Sequence, residues 1–374
     1  MDTTRRSFLG ALAAAPVLLG AEDKAGSKNP ILGTGAYQYE CIHDWGELPT
    51  TIKYGNTHSV CEDSQGHIYV HHTVHATSQS PDAVVVFDNK GKFVRSFGSM
   101  FKGGAHGMHH AKEGKNEYLY FCDEKHGIVT KRTLKGEEVW TIGYPQDSKP
   151  YEKGPGRNGL NYRPTNITIA ANGDFWVVDG YGSYFVFHYQ QKGSSPQLVN
   201  TFGGRPADAA GTGRGPGAPG GRGAGGSPPP PAPIDQTNNP HGIWLDTRDA
   251  TKPVLLVADR GNRRIVRYTT DDKPIDVVEG TLLPCHFHQM RDLLVVPDLQ
   301  SRVTLFDKDN KVITHLGDGD YKGRQNQLRL TQNRGDFEAG KFVAPHGAWF
   351  DHAGNIFVAE WVEIGRVTKL RKIA

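Results

Sequence analysis

The sequence predicts an all-β protein, a six-bladed β-propeller of four-stranded blades. Three observations carry that expectation. A segment reading strand, Asp/Asn-Gly-type turn, strand, short loop, strand, turn, strand recurs six times at a period of tens of residues. Helix-period apolar stretches are scarce, while 46 glycines and 23 prolines supply turns throughout the 374 residues. The last copy stops one strand short, and a β-prone run ahead of the first copy can supply the missing strand.

The first unit runs from Thr57 to Gly98, with HSVCEDSQGHIYV, an insertion, then DAVVVFDNKGKFVRSFG. The second runs from His106 to Gly143 and ends KGEEVWTIG. The third, Arg163 to Gly203, contains PTNITIAANGDFWVVDGYG and closes VNTFGG. The fourth starts at Asn239 with PHGIWLDTRDATKPVLLVADRGNRRIVRYTTDDK. The fifth, from Leu283, contains LLVVPDLQSRVTLFDKDNKVITHLG. The sixth starts at Ala344 with PHGAWFDHAGNIFVAEWVEIGRVTKLRKI. The run Tyr37-Gln38-Tyr39-Glu40-Cys41-Ile42 is expected to complete it, so the propeller domain spans 36–374 with no open sheet edge. A two-sheet sandwich would not explain the repeat.

Two segments stand outside the repeats. Thr4-Arg5-Arg6-Ser7-Phe8-Leu9 precedes an apolar run from Gly10 to Ala21 that is too short to span a bilayer. A twin arginine before such a run reads as a Tat export signal, here residues 1–26, with cleavage between Gly20 and Gly26. The expected location is therefore periplasmic or secreted, with export in the folded state and no membrane association after cleavage. Residues 207–234 form a tract of Gly, Pro, Ala and Arg, including Pro228 to Pro231, with no collagen period. It cannot bury a core and is expected to be a disordered insertion between blades 3 and 4.

The formal charge of +3 is too small to suggest nucleic acid as a partner. The expected partner is a small-molecule or peptide-like substrate, and the expected state a monomer. The four cysteines, Cys41, Cys61, Cys122 and Cys285, match no zinc-knuckle or CxxC spacing. Cys61 and Cys122 lie in strand-like runs and are expected as buried free thiols.

Pro240-His241-Gly242 and Pro345-His346-Gly347 are copies of one tripeptide, and Ala105-His106-Gly107 is a near copy. All three open the first strand of a unit, in blades 2, 4 and 6. First strands line a propeller channel, and alternate blades of a six-fold ring lie about 120° apart. His106, His241 and His346 can therefore present nitrogens to one point and leave a fourth position open, the arrangement of catalytic zinc. The competing reading is three local turn caps. His58 occupies the same slot in blade 1, and Cys285-His286 with His288 does something similar in blade 5. A second ligand set or a wider polar channel stays open on this pattern.

The units resemble NHL-type repeats. Their order and motifs resemble the catalytic core of the peptidylglycine α-amidating lyase family, from about Thr57 to the C-terminus apart from the Gly/Pro tract. That family cleaves peptidyl-α-hydroxyglycine to a peptide amide and glyoxylate, using zinc held by three histidines. The resemblance implies His106, His241 and His346 as the zinc ligands. The family's catalytic tyrosine lies in Ser-Asp-Gly-Tyr, matched by Val178-Asp179-Gly180-Tyr181, which implies Tyr181 as base with a pKa lowered by zinc and Arg260. Its substrate-binding arginine lies in Ala-Asp-Arg, matched by Ala258-Asp259-Arg260. Ala-Asp-Arg is common in NHL repeats, so Arg260 has a blade-turn salt bridge as its alternative role, and Tyr181 has that of a core or rim aromatic.

The chain departs from the family at several positions. A second active-site arginine is expected at the end of a blade 1 strand, where Val70-His71-His72-Thr73 stands, so His72 takes its place as a candidate catalytic residue. His71 and His75 share that region, as pocket residues, solvated loop residues or a second metal cluster. The family's aspartate for a structural calcium, after the third zinc histidine, is Gly347 here, and calcium is the lesser cofactor expectation beside zinc. Ala344 replaces a methionine and Gly182 a cysteine.

The leading expectation is an exported zinc-dependent lyase acting on a hydroxylated, carbinolamide-type substrate. One alternative is a non-catalytic propeller that binds a protein or glycan. Another is a calcium- or magnesium-dependent lactonase or streptogramin-type lyase, using carboxylates among Asp123, Asp179, Asp259, Asp298 and Glu360. Aspartate at those strand ends is part of the repeat pattern and commonly caps turns.

Overall fold

The computed structural model describes residues 29–154, 161–192, 195–204 and 232–373. The expected leader, 1–26, and nearly all of the Gly/Pro tract lie outside the described residues. The described chain forms six antiparallel sheets, the six blades of a propeller. Blade 1 comprises Thr57–Glu62, Ile68–His72, Val84–Phe87 and Phe93–Phe97. Blade 2 comprises Ala105–Glu113, Asn116–Asp123, Ile128–Thr133 and Glu138–Ile142. Blade 3 comprises Asn166–Ile169, Asp174–Val178, Phe185–Lys192 and Ser195–Gly203. Blade 4 comprises Pro240–Asp246, Val254–Asp259, Arg264–Thr269 and Pro274–Val278. Blade 5 comprises His288–Met290, Leu293–Asp298, Arg302–Phe306 and Val312–Leu316. Blade 6 comprises Pro345–Phe350, Ile356–Glu360 and Arg366–Lys372, and its fourth strand is Tyr39–Ile42.

That N-terminal strand pairs antiparallel with the last strand of the chain, Tyr39 opposite Lys372 and Ile42 opposite Lys369. The closure is the one the sequence predicts. An additional two-residue strand, Ile31–Leu32, pairs outside it, so blade 6 carries five strands. A strand of two residues has no alternation to read, which is why the sequence does not announce it.

The middle strands are near-continuous apolar runs because each blade is covered on both faces by its neighbours. Val84–Phe87 and Ile356–Glu360 are buried along their whole length. The outermost strands face solvent, as in Phe93–Phe97. The long connection from blade 5 to blade 6 holds a helix that the β-pattern did not predict, Gln325–Leu330. Leu328 packs from it into an apolar cluster with Leu299, Val343, Ala344, Val362 and Cys285.

Four of the six innermost strands, those of blades 1, 2, 4 and 6, share an irregularity that matters for the channel. Their pairing slips between Thr57 and Ser59, Ala105 and Met108, Pro240 and Ile243, and Pro345 and Gly347. A bulge leaves residues unpaired, bends the strand and re-aims a side chain. Here the bulges coincide with His58 and with the three His-Gly pairs.

Candidate metal centre

His106, His241 and His346 meet in the channel. Their ring centroids form a near-equilateral triangle, 4.8 Å from His106 to His241, 4.8 Å from His106 to His346 and 4.7 Å from His241 to His346. Each ring is held by the next blade. Nδ1 of His106 lies 2.7 Å from the Thr165 carbonyl, Nδ1 of His241 lies 2.9 Å from that of Cys285, and Nδ1 of His346 lies 2.9 Å from that of His58. A carbonyl only accepts, so each Nδ1 carries the proton and each Nε2 keeps its lone pair. This is the outer support found behind metal-bound imidazoles.

The glycines explain how the blades come so close. A Cβ on Gly107 would lie 2.5 Å from the Thr165 carbonyl oxygen, on Gly242 2.6 Å from that of Cys285, and on Gly347 2.5 Å from that of His58. These are the same three carbonyls that hold the histidines. His-Gly is thus one device used three times, and it pairs each even blade with the odd blade that follows. Residues 58, 165 and 285 are the equivalent positions of the odd blades.

The arrangement is wider than three histidines. His58 lies 4.7 Å from His106 and 4.5 Å from His346 between ring centroids. Two sets have all their ligand atoms within 4.8 Å of one another, His58/His106/His346 and His241/Cys285/His346, all buried. The trio His106/His241/His346 is compact by ring centroids but is not itself one of these sets. The nitrogens bear on the question of a shared ion more directly than the centroids do, so His346, common to both sets, is the pivot of the centre. The sequence pattern pointed to blade 5 through Cys285-His286, but pairing a thiol with histidines of two other blades requires the closed ring.

Tyr181 and Arg260 adjoin the histidines. Tyr181 Oη lies 3.3 Å from Nε2 of His106 and 3.1 Å from Nε2 of His241. Burial raises its pKa, and the neighbouring Arg260 pulls the other way. The sequence-based expectation of a lowered phenol is therefore not met by the protein groups alone, in which burial outweighs the neighbouring Arg260. Arg260 is buried, its guanidinium 5.5 Å from the Tyr181 ring centroid. Its Nε and Nη2 donate to Asn239 Oδ1 at 2.9 and 2.6 Å, and its Nη1 lies 3.7 Å from Cys285 Sγ. Asn239, in the left-handed region at φ 51, also donates to the Gly180 carbonyl at 2.6 Å, tying the Tyr181 loop to blade 4. The sequence reading missed Asn239, although it directly precedes the Pro-His-Gly. The blade-turn salt bridge considered for Arg260 is made by Arg264 instead, 2.8 Å from Asp259.

Burial, the largest cause in each case, holds His106, His241 and His346 well below the ordinary imidazole pKa, and Arg260 adds to it. They are neutral at pH 7, as ligation requires. His72 is not joined to this group by a hydrogen bond or ring contact. Its Nδ1 accepts from the Val74 amide at 3.0 Å, and its ring meets Tyr54 edge-on at 4.8 Å. His71 packs between Phe101 and Phe121, and His75 bonds Thr77 on the surface.

Three residues further along each even blade lies a second aromatic layer, His109, Trp244 and Trp349. Ring centroids are 5.1 Å apart for His109 and Trp244, and 6.0 Å for the two tryptophans. His288 stacks on Trp349 at 3.6 Å, while His286 Nδ1 donates to the Ala348 carbonyl at 3.2 Å. The spacing of three, His106/His109, His241/Trp244 and His346/Trp349, is legible in the sequence once the bulge is known to put both positions on the channel side.

The recurring acids are caps. Asp298 accepts from the amides of Leu282, Leu283 and Gln300, Asp123 from Lys125 and His126, and Asp259 from Asn238. Asp179 accepts from Arg163 and Ser183, and Glu360 from Val343 and Ala344. All four cysteines are buried and unpaired.

Among solved structures the chain is similar to a streptogramin B lyase, with 12% identity over 90% of this chain and 99% of that one, TM-score 0.54. It is likewise similar to a gluconolactonase from Xanthomonas campestris, with 13% identity over 92% and 95%, TM-score 0.55. No family model matches the chain, and no curated protein matches it. The likeness carries the resemblance as far as the six-bladed propeller and does not extend it to the amidating lyases.

Proposed function

We propose that this protein is a metal-dependent propeller enzyme of the lyase type. In this reading a zinc-class ion is held by the channel histidines, with His106, His241 and His346 as the core of the ligand set. The observation that carries the proposal is the set of three imidazoles, each tied through Nδ1 to a neighbouring carbonyl with Nε2 left as a lone-pair donor. Neutral nitrogens with fixed tautomers suit zinc and its transition-metal neighbours better than calcium or magnesium, which prefer oxygen.

A zinc ion held by His106, His241 and His346 would supply Lewis-acid polarisation of a substrate hydroxyl. Burial alone keeps Tyr181 a phenol, so its base role depends on the ion. With an ion held at the histidines, that charge together with Arg260 would lower the phenol, and Oη as phenolate would take the proton of that hydroxyl as the C–N bond of the carbinolamide breaks. The hydroxyl carbon becomes an aldehyde, and the proton passes on to the leaving nitrogen, which becomes an amide N–H. Arg260 is buried and, among the described residues, its guanidinium has no carboxylate partner, meeting a neutral amide oxygen, a thiol and an aromatic ring, so it favours an anionic group on the substrate. His72, whose Nδ1 accepts from the Val74 amide and whose ring meets Tyr54, supports a changed substrate rather than a peptide held by two arginines.

The test is metal analysis with turnover of an N-acyl-α-hydroxyglycine. About one zinc per chain and release of the amide and glyoxylate are expected. Clearly substoichiometric zinc in protein purified without chelator would sink the reading. Lactone or streptogramin-type cleavage is the second reading, favoured by the fold neighbours. The capping role of Asp123, Asp179, Asp259, Asp298 and Glu360 supports the histidine centre rather than an acidic cage as its metal site. Export through the Tat route, with function in the periplasm or outside the cell, is proposed from the Arg5-Arg6 leader.

A further inference from the structure

We infer that Cys285 is a side-chain ligand of the channel ion, making the centre a mixed thiolate and imidazole site. The inference rests on the proposed histidine centre and goes beyond it by naming a sulfur ligand and the class of ion that sulfur selects.

Three independent features converge on this residue. Its Sγ and one nitrogen each of His241 and His346 lie within 4.8 Å of one another, all buried. Its carbonyl accepts the Nδ1 hydrogen of His241 at 2.9 Å, so one residue fixes the ring and offers the sulfur. Arg260 Nη1 lies 3.7 Å from the sulfur, and the guanidinium has no carboxylate partner among the described residues. A buried cation without a counter-ion is unfavourable, and a thiolate beside it relieves that imbalance.

On binding, the S–H bond breaks, a sulfur–metal bond forms and the proton leaves to solvent, with no redox partner required. Cys285 then plays two parts, ligand to the ion and counter-ion to Arg260. A thiolate in the set selects soft and borderline ions such as zinc and cobalt over calcium and magnesium. Cys285 also packs with Leu299, Leu328, Val343, Ala344 and Val362. That apolar wall keeps water from the sulfur and makes its selectivity felt.

The experiment titrates the metal-free full chain with cobalt(II) alone and follows absorption. The expected wild-type result is visible ligand-field bands together with a near-ultraviolet thiolate-to-cobalt charge-transfer band, both saturating at about one cobalt per chain. Cys285→Ser should keep the ligand-field bands and the thermal unfolding of the wild type while losing the near-ultraviolet band. Its affinity for cobalt should fall at least about 10-fold. Cys285→Ala serves in its place should the serine variant not fold. Visible bands without the near-ultraviolet band in the wild type would overturn the sulfur ligand and leave the histidine centre intact. The same band persisting in the Cys285 variant would do so too. Failure of the wild type to take up cobalt at all would overturn the histidine centre itself.

Discussion

Nδ1 of His346 donates to the backbone carbonyl of His58 at 2.9 Å, while Nδ1 of His58 faces Nε2 of the same His346 ring at 3.4 Å. The two residues, from blades 6 and 1, thus meet through both backbone and ring across the seam where the propeller closes. His346 also belongs to both compact ligand sets.

The shared position of His346 predicts unequal losses. His346→Ala should lower metal affinity by on the order of 100-fold or more, above the roughly 10- to 100-fold cost of removing an outer hydrogen-bond partner. His58→Ala should cost less, because it removes a member of one set alone. Zinc competition titrations of both variants check the order, and equal losses would contradict it.

Tyr181→Phe should separate chemistry from binding. The phenol oxygen reaches His106 and His241 but is not needed to hold an ion, so metal content should stay at the wild-type level. Turnover of an N-acyl-α-hydroxyglycine should fall by about 10²- to 10⁴-fold, the usual contribution of a positioned acid or base. Elemental analysis beside the rate measurement decides this.

Gly242→Ala should destabilise the fold, with Gly107→Ala and Gly347→Ala behaving alike. The added methyl carbon meets a carbonyl oxygen at 2.6, 2.5 and 2.5 Å respectively, and backbone cannot move aside cheaply. The expected cost is about 1–3 kcal/mol. It would appear as a lower urea midpoint at unchanged slope, and a midpoint within error of the wild type would refute the packing argument.

Acid should destabilise the metal-free protein well before the carboxylates of an unfolded chain titrate. Burial pulls His58, His72 and His109 down to about 3 and His286 to about 4, against about 6.5 when unfolded. Between those values the unfolded chain binds more protons than the folded one. Stability is therefore full above the unfolded value and declines as pH falls towards the folded values, by at most about 1.4 kcal/mol per pH unit for each histidine. Glu62, Asp179, Asp259 and Asp298, raised by burial, act in the opposite sense, but they are outnumbered once His71, His106, His241, His288 and His346, also lowered by burial, are counted with the other four histidines. Urea midpoints at neutral and mildly acidic pH should fall accordingly, and a flat profile would count against buried neutral histidines.

Removing residues 1–42 should abolish cooperative folding. The cut takes away Tyr39–Ile42, leaving Arg366–Lys372 as an open edge in blade 6. Loss of a sharp thermal transition, or aggregation seen by light scattering, is the expected result.

The sequence by itself determined the number of blades, the closing strand before blade 1 and the alternate-blade placement of His106, His241 and His346. These are local and repeated properties, and a repeat needs no knowledge of distant contacts to be read. The tertiary structure decided what surrounds those histidines. It brought Cys285 beside His241 and His346, set Asn239 under Arg260, gave the blade-turn salt bridge to Arg264, and left His72 against Tyr54. It also showed that the glycines and the carbonyls of His58, Thr165 and Cys285 form one packing device. Those relationships join different blades, and only closure of the ring fixes which atoms of one blade face which atoms of the next.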